Sequence, residues 1–459
     1  MIRTGAQHSH HNQNYSALTA ITKAVSTASL FIITALVLTG CGNRETVLKG
    51  EREAILVQTP ELVSISDAQA EGAGLSQMIR NDSAGHPGLN SGHAGGHIEA
   101  ELPFEEVWSV SVNGSDEDIV SLPQPVYADG RLYLLTGDAV VVALAGDTGA
   151  EVWTMAVDNG KRGVYPGRAG GLALVENMLA VHAARRDLAM LDAGTGEIRW
   201  AVSHDAPLQA GPTFIGNEAV LVSDIEGQLY AYTADTGDLL WENAGLPVST
   251  VIFGAAFPAV HEDMVVIAGS GGEMSVHQAS DATLLWAETL ASLSPKTPLE
   301  GLSDILAHPV HDGQNIVIAA QSGRIASFQA DTGLLNWEQP ISVAVMPWLA
   351  GQTVFAVSIS GELYALRSSD GAVRWKISLK GAVDSSLKAG DDLPNYLSPF
   401  VASNQVHMLS EDGVLYSFDA DTGAPQGSVS IGGDIRTQPQ IADGAVFILS
   451  QSGNVTMLR

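Results

Sequence analysis

Asp147-Thr148-Gly149 is followed four residues on by Trp153, and the same arrangement stands at Asp235-Thr236-Gly237 with Trp241 and at Asp331-Thr332-Gly333 with Trp337. Degenerate copies are Thr195-Gly196 with Trp200, Asp281-Ala282 with Trp286, Asp370-Gly371 with Trp375, and Asp421-Thr422-Gly423, where Gly427 takes the tryptophan position. Glycine reaches a positive φ without steric cost, and Asp or Thr side chains bond neighbouring N–H groups, so each copy reads as a hairpin corner.

Before the corner runs an alternating apolar segment, such as Gly361-Glu362-Leu363-Tyr364-Ala365-Leu366 or Gly227-Gln228-Leu229-Tyr230-Ala231-Tyr232. After it comes a short run through the tryptophan, and upstream stands a second pair typified by Pro439 to Leu449, with Asp443-Gly444 as its turn. Each unit is a four-stranded meander, repeating at the roughly 40 to 50 residues that mark propeller blades. The last repeat, from Ser428, has no fourth strand, whereas Phe104 to Val110, carrying Trp108, is a strand without a hairpin. The expected fold is therefore all-β: an eight-bladed β-propeller of four-stranded antiparallel blades over residues 104–459, closed by the N-terminal strand joining the C-terminal blade.

Composition agrees with that fold and bounds the partners. The 48 glycines suit a chain that turns every few residues, and the formal charge of -29 without a basic run argues against nucleic acid. Residues 1–40 read as a secretion signal: Arg3 and Lys23 without acids, an apolar stretch from Ala28 to Leu38 too short to span a bilayer comfortably, and small residues before Cys41. Residues 41–103 are expected to form a flexible tether, with a short helix between Thr59 and Met78. His86, His93 and His97 lie among glycines without an acidic or thiol ligand, so they are read as solvated linker residues and no metal is expected.

Candidate chemistry reduces to architecture. Asp147, Asp235, Asp331 and Asp421 recur at one turn and are structural, and the repeated tryptophans are packing residues. Trp348, off the template, is expected to be buried. No G-x-S-x-G elbow, phosphate loop, H-E-x-x-H, Cys-x-x-Cys or calcium loop occurs, so no enzyme activity and no cofactor are expected. Two long connections, Ala287 to His308 and Lys380 to Ser398, are where binding would reside.

The Gly-x-Leu-Tyr-Ala-Leu, Thr-Gly, Trp pattern resembles the repeat of pyrroloquinoline-quinone propellers, and Leu38-Thr39-Gly40-Cys41 resembles a bacterial lipobox. Together they resemble the BamB family of lipoproteins of the outer-membrane β-barrel assembly machinery. That resemblance implies acylation of Cys41, the sole cysteine, and an outer-membrane location with the folded domain in the periplasm. It implies a non-catalytic scaffold that docks on a BamA POTRA domain, joins other assembly subunits and aids insertion of unfolded outer-membrane proteins. Docking residues carried over from the family are Thr250, Ile252 and Phe253 in Thr250-Val251-Ile252-Phe253-Gly254, and Asp304 and Leu306 in Leu302-Ser303-Asp304-Ile305-Leu306. Phe253 stands where the family has arginine, and Leu306 where it has a second acid. The alternative is a quinone-dependent periplasmic dehydrogenase with its cofactor near the ring axis, or another ligand-binding propeller that takes carbohydrate or protein on its surface.

Overall fold

The alternating segments form eight four-stranded antiparallel sheets, each ordered as a simple meander. The structure is a computed structural model describing residues 62–112, 122–157, 170–183, 186–244, 256–269, 271–290, 305–382 and 395–459, all within the unit 60–459. Blades 1 to 7 span 126–156, 171–203, 213–244, 259–289, 310–339, 348–378 and 400–430. Blade 8 combines Gln440–Ala442, Ala445–Leu449 and Asn454–Leu458 with Glu106–Ser111 as its outermost strand, in the register Trp108 to Met457 and Val110 to Val455. The innermost strands of blades 8 and 1 also touch, closing the ring as the sequence predicts.

Burial follows strand position. The second and third strands are covered on both sides by neighbouring blades, so Val354–Ala356 and Leu363–Leu366 are fully buried. Outermost strands alternate between exposed and half-buried residues, with the tryptophan on the inward side. The core lies between blade faces, as where Leu132, Leu134 and Leu144 of blade 1 meet Phe447 and Leu449 of blade 8.

Each tryptophan ties its blade to the next. The Nε1–H of Trp153 donates to Ala193 O at 3.0 Å, Trp200 to Ala234 O at 2.8 Å, Trp286 to Ala330 O at 2.8 Å and Trp375 to Ala420 O at 2.9 Å. Its ring covers the glycine of the following turn: a Cβ on Gly423 would lie 2.8 Å from the Trp375 ring, and one on Gly196 2.6 Å from Trp153. At these turns the glycine serves twice, for its positive φ and for the indole against its Cα, while the turn after Trp241 carries Ala282 at a positive φ of 57°. A bulge at the residue before each tryptophan, such as Arg374, gives the strand its turn toward the neighbour. Gly427 now has an explanation. Strands Asn454–Leu458 and Glu106–Ser111 of blade 8 are not joined by a hairpin, so no glycine turn exists for a blade 7 tryptophan to cover.

The segment expected to be a flexible tether differs over its described part. Residues 62–103 are packed on and through the ring, and His86, His93 and His97 are 3%, 0% and 3% exposed rather than solvated. The helix is shorter than expected, Ser66–Ala70. From Asn81 to Ile98 the chain makes one circuit of the axis, bonding the innermost strand of every blade in ring order. Asn81 Nδ2 donates to Ile441 O of blade 8 at 2.6 Å, and Tyr127 N of blade 1 donates to Ala84 O at 2.9 Å. Leu174 N of blade 2 donates to Gly85 O at 2.9 Å, and Phe214 N of blade 3 to His86 Nε2 at 3.1 Å. Val260 N and His311 N of blades 4 and 5 donate to Ser91 O and Gly92 O, both at 2.7 Å. Gly96 and Ile98 then donate to Leu349 O and Val401 O of blades 6 and 7, each at 3.1 Å.

Trp375→Ala should destabilise the chain by about 3 to 5 kcal/mol, the cost of emptying a buried aromatic site. Trp375→Phe, which keeps the ring over Gly423 and loses the bond to Ala420 O, should cost about 1 kcal/mol. Urea denaturation checks this; equal losses from both variants would contradict the interlock.

Candidate functional site

The axis is filled by the chain itself. The Trp348 indole lies against Gly95, where a Cβ would come within 2.1 Å of the ring, and donates to Gly96 O at 2.8 Å. It is buried, as expected from sequence. A cavity beside this plug, lined by Leu89, Gln124, Trp348, Phe400 and Gln440 among others, measures about 10 Å³, space for a single water. A tricyclic quinone at the axis would need the volume that residues 84–98 occupy, so the residues present do not fit that cofactor. Among the described residues there is no group of three or more His, Cys, Asp or Glu placed to hold a metal ion.

The plug histidines act as neutral hydrogen-bonding spacers. His93 Nδ1–H donates to Pro309 O at 2.8 Å, and His97 Nδ1–H donates to Ser76 O at 2.8 Å while its Nε2 accepts from Asn404 N at 3.0 Å. Burial pushes the His86 imidazole down to about 3, helped by the nearby His93, and burial pushes His93 itself down to about 4. Sequence reasoning missed these roles because nothing in the spacing of histidines among glycines distinguishes a packed backbone from a solvated one.

Of the residues carried over as docking candidates, Thr250, Ile252, Phe253 and Asp304 lie outside the described residues, as does Cys41. Leu306 is described and half-buried; it follows Ile305, which is 3% exposed and packs in the cluster of Met274, Leu290 and Ile318. The residues leading out of the two candidate segments meet. Phe257 N donates to His308 Nδ1 at 3.0 Å, and their rings lie 4.8 Å apart. His308 in turn lies 5.6 Å from the ring of His93 in the plug. The strands that carry segments 245–255 and 291–304 are therefore fixed to one another and to the axis.

Four-stranded blades with a tryptophan closing on the next blade's glycine turn define a propeller of the quinoprotein-repeat class. The family model described as outer membrane protein assembly factor BamB matches residues 105–166, 137–377 and 357–459, and the chain belongs to that family. A protein of that name from Shewanella oneidensis is 23% identical over 373 residues, covering 79% of this chain and 90% of its own. The crystal structure of BamB from Moraxella catarrhalis superposes with a TM-score of 0.65 at 18% identity, covering 78% of this chain and all of that one. Quinohemoprotein alcohol dehydrogenase from Comamonas testosteroni reaches a TM-score of 0.62 at 13% identity, covering 86% of this chain and 84% of its own. At such identities the solved structures share the fold; the filled axis described above is what separates this chain from a quinone site.

Acid should loosen the ring. His86 and His93 have folded values below the roughly 6.5 of an unfolded histidine, so the unfolded chain binds more protons once the pH falls below that value. Their contribution is complete above about pH 6.5 and falls by about 1.4 kcal/mol per pH unit for each histidine until the folded value is reached. The urea midpoint should therefore fall between pH 7.5 and 4.5, and fall less steeply in His93→Gln; an unchanged slope in that variant would contradict the neutral, buried assignment.

Proposed function

We propose that the chain is a lipid-anchored, non-catalytic scaffold of the outer-membrane β-barrel assembly complex. Cys41 carries the lipid and the propeller faces the periplasm. The family match over the whole propeller carries this reading. Residues 250–254 and 302–306 form the docking surface for a POTRA domain of BamA, and the Phe257 to His308 contact supports it by joining the strands from which both segments extend. Rigid feet lower the ordering cost that a flexible interface would carry on binding. Phe253 and Leu306, standing where the family has charges, make the contact more apolar. The scaffold's task is to hold the assembly together while unfolded barrel proteins are inserted. Among the described residues no helix is long and apolar enough to cross a membrane, and the anchor is placed on Cys41 from sequence.

A tagged full-length chain extracted in mild detergent should co-purify BamA. Ile252→Asp with Asp304→Lys should lower that recovery at least about tenfold, as loss of a central contact does, with an unchanged thermal midpoint. Undiminished recovery would contradict the site, and failure of the wild-type chain to recover BamA would contradict the function.

A further inference from the structure

The clasp at residues 65–71 displays what the outer rim of a blade accepts. On blade 6 the Ile65 N–H donates to Val373 O at 2.9 Å, at the first residue of the outermost strand. Ser66–Ala70 then makes a short helix beside the bulge residue Arg374, whose guanidinium donates to Ala68 O at 2.9 Å. Val373 is thereby reduced to 2% exposure. The acids of the clasp meet bases on the blade: Glu71 lies 3.1 Å from Arg367 and 3.4 Å from Arg374, and Asp67 lies 3.6 Å from Arg367.

Register identifies the same seat on three consecutive blades. Val373 pairs with Leu366, one residue beyond the tryptophan's partner, and Leu239, Leu284 and Leu335 occupy that position opposite Tyr232, His277 and Phe328. These leucines are 50%, 56% and 46% exposed, and Leu240, Leu285 and Leu334 beside them are exposed as well. Three adjacent blades thus present paired leucines where blade 6 presents a covered valine. Scattered surface leucines need no account, but an exposed leucine at one register position on three adjacent blades does, with a second leucine after it on blades 3 and 4 and before it on blade 5.

The charge on blades 3 and 4 is of one sign. Between Arg199 and Lys296 the chain has no lysine or arginine and twelve Asp or Glu residues, a stretch that includes all of blades 3 and 4. The bases that hold the clasp on blade 6 have no counterpart there. We propose that the rim of blades 3 to 5 is a docking surface for a short apolar segment of a partner protein, seated as Ile65 and the helical turn Ser66–Ala70 sit on blade 6 and bearing lysine or arginine where the clasp has Asp67 and Glu71. The leucines supply the apolar contact, the first carbonyl of the outermost strand accepts a main-chain N–H, and the acidic field selects for cations. An anionic lipid surface is repelled by the same field. In an antiparallel meander these strand starts lie on the face opposite the strand ends that bracket residues 245–255 and 291–304. The surface is therefore separate from the one proposed for BamA and does not depend on that reading.

The test uses two synthetic peptides of residues 60–72 with a photoreactive benzoylphenylalanine at position 62, one otherwise native and one with Glu61→Lys, Asp67→Lys and Glu71→Lys. Each is irradiated with the full chain, and the labelled sites are mapped by mass spectrometry. The lysine peptide should label residues 239–240, 284–285 and 334–335 at least about fivefold more than the native peptide, and lose that advantage at high salt. The Leu240→Asp, Leu285→Asp variant should lose at least about fivefold of the labelling with an unchanged thermal midpoint, since the altered residues are exposed; if it does not fold, Leu240→Ser with Leu285→Ser serves instead. Equal labelling by both peptides, labels elsewhere, or undiminished labelling of the variant would overturn the proposal. So would capture of the Cys41→Ser chain by neutral phosphatidylcholine vesicles that these leucine substitutions abolish, because the rim would then be a lipid contact.

Discussion

The innermost strand of each blade has one edge with no strand to pair against, and eight such edges converge on the axis of this ring. A buried backbone N–H or carbonyl without a partner costs about as much as a lost hydrogen bond, so the axis must be wet, occupied by a ligand, or filled with polypeptide. This chain takes the third course. Residues 81–98 go once around the axis and give every innermost strand a partner, by backbone at six blades, by the Asn81 side chain at blade 8 and by the His86 ring at blade 3. The consequence for function is direct: the place where a quinone would stack is protein, and binding is left to the faces and the rim.

The second constraint is the tryptophan interlock, which makes each blade's outer strand dependent on the next blade's turn. It explains both the regularity of the repeat and its single gap, because at the junction of blades 7 and 8 neither tryptophan nor glycine turn is present. That junction is instead held by core residues such as Phe418, Ile435 and Ile448. It is also bridged by the N-terminal segment, whose Ala73 N donates to Asp421 Oδ1 at 2.7 Å on blade 7 and whose Arg80 pairs with Asp443 on blade 8. The plug and its lead-in therefore strengthen the ring where its own template lapses.

How much of this could be read from the sequence depended on periodicity. Blade number, closure by Trp108 and the turn glycines were legible because one physical unit is written eight times with the same spacing. The plug was not, because it meets each blade through only one or two hydrogen bonds, mostly of the backbone, and such bonds leave no alternation. Gly85 and Gly95 look like linker residues, yet a Cβ would come 1.9 Å from Leu174 O at the first and 2.1 Å from Trp348 at the second. Their glycine is set by close approach, which composition does not distinguish from flexibility. The leucine pairs of the rim were visible as letters beside the tryptophans, but only blade 6, with its seat covered, shows that this position receives a chain. Leu306 shows the converse: its resemblance-based role is neither helped nor hindered by its half-buried place after Ile305.

Hydrogen exchange at the innermost strands tests the filled axis most directly. With the plug seated, the amides of Tyr127, Leu174, Val260 and His311 should exchange only on global opening, as slowly as core amides such as Val354, and the plug amides of Gly96 and Ile98 should share that protection. Exchange of these amides within seconds at neutral pH, while the second and third strands stay protected, would show the axis open and contradict the account.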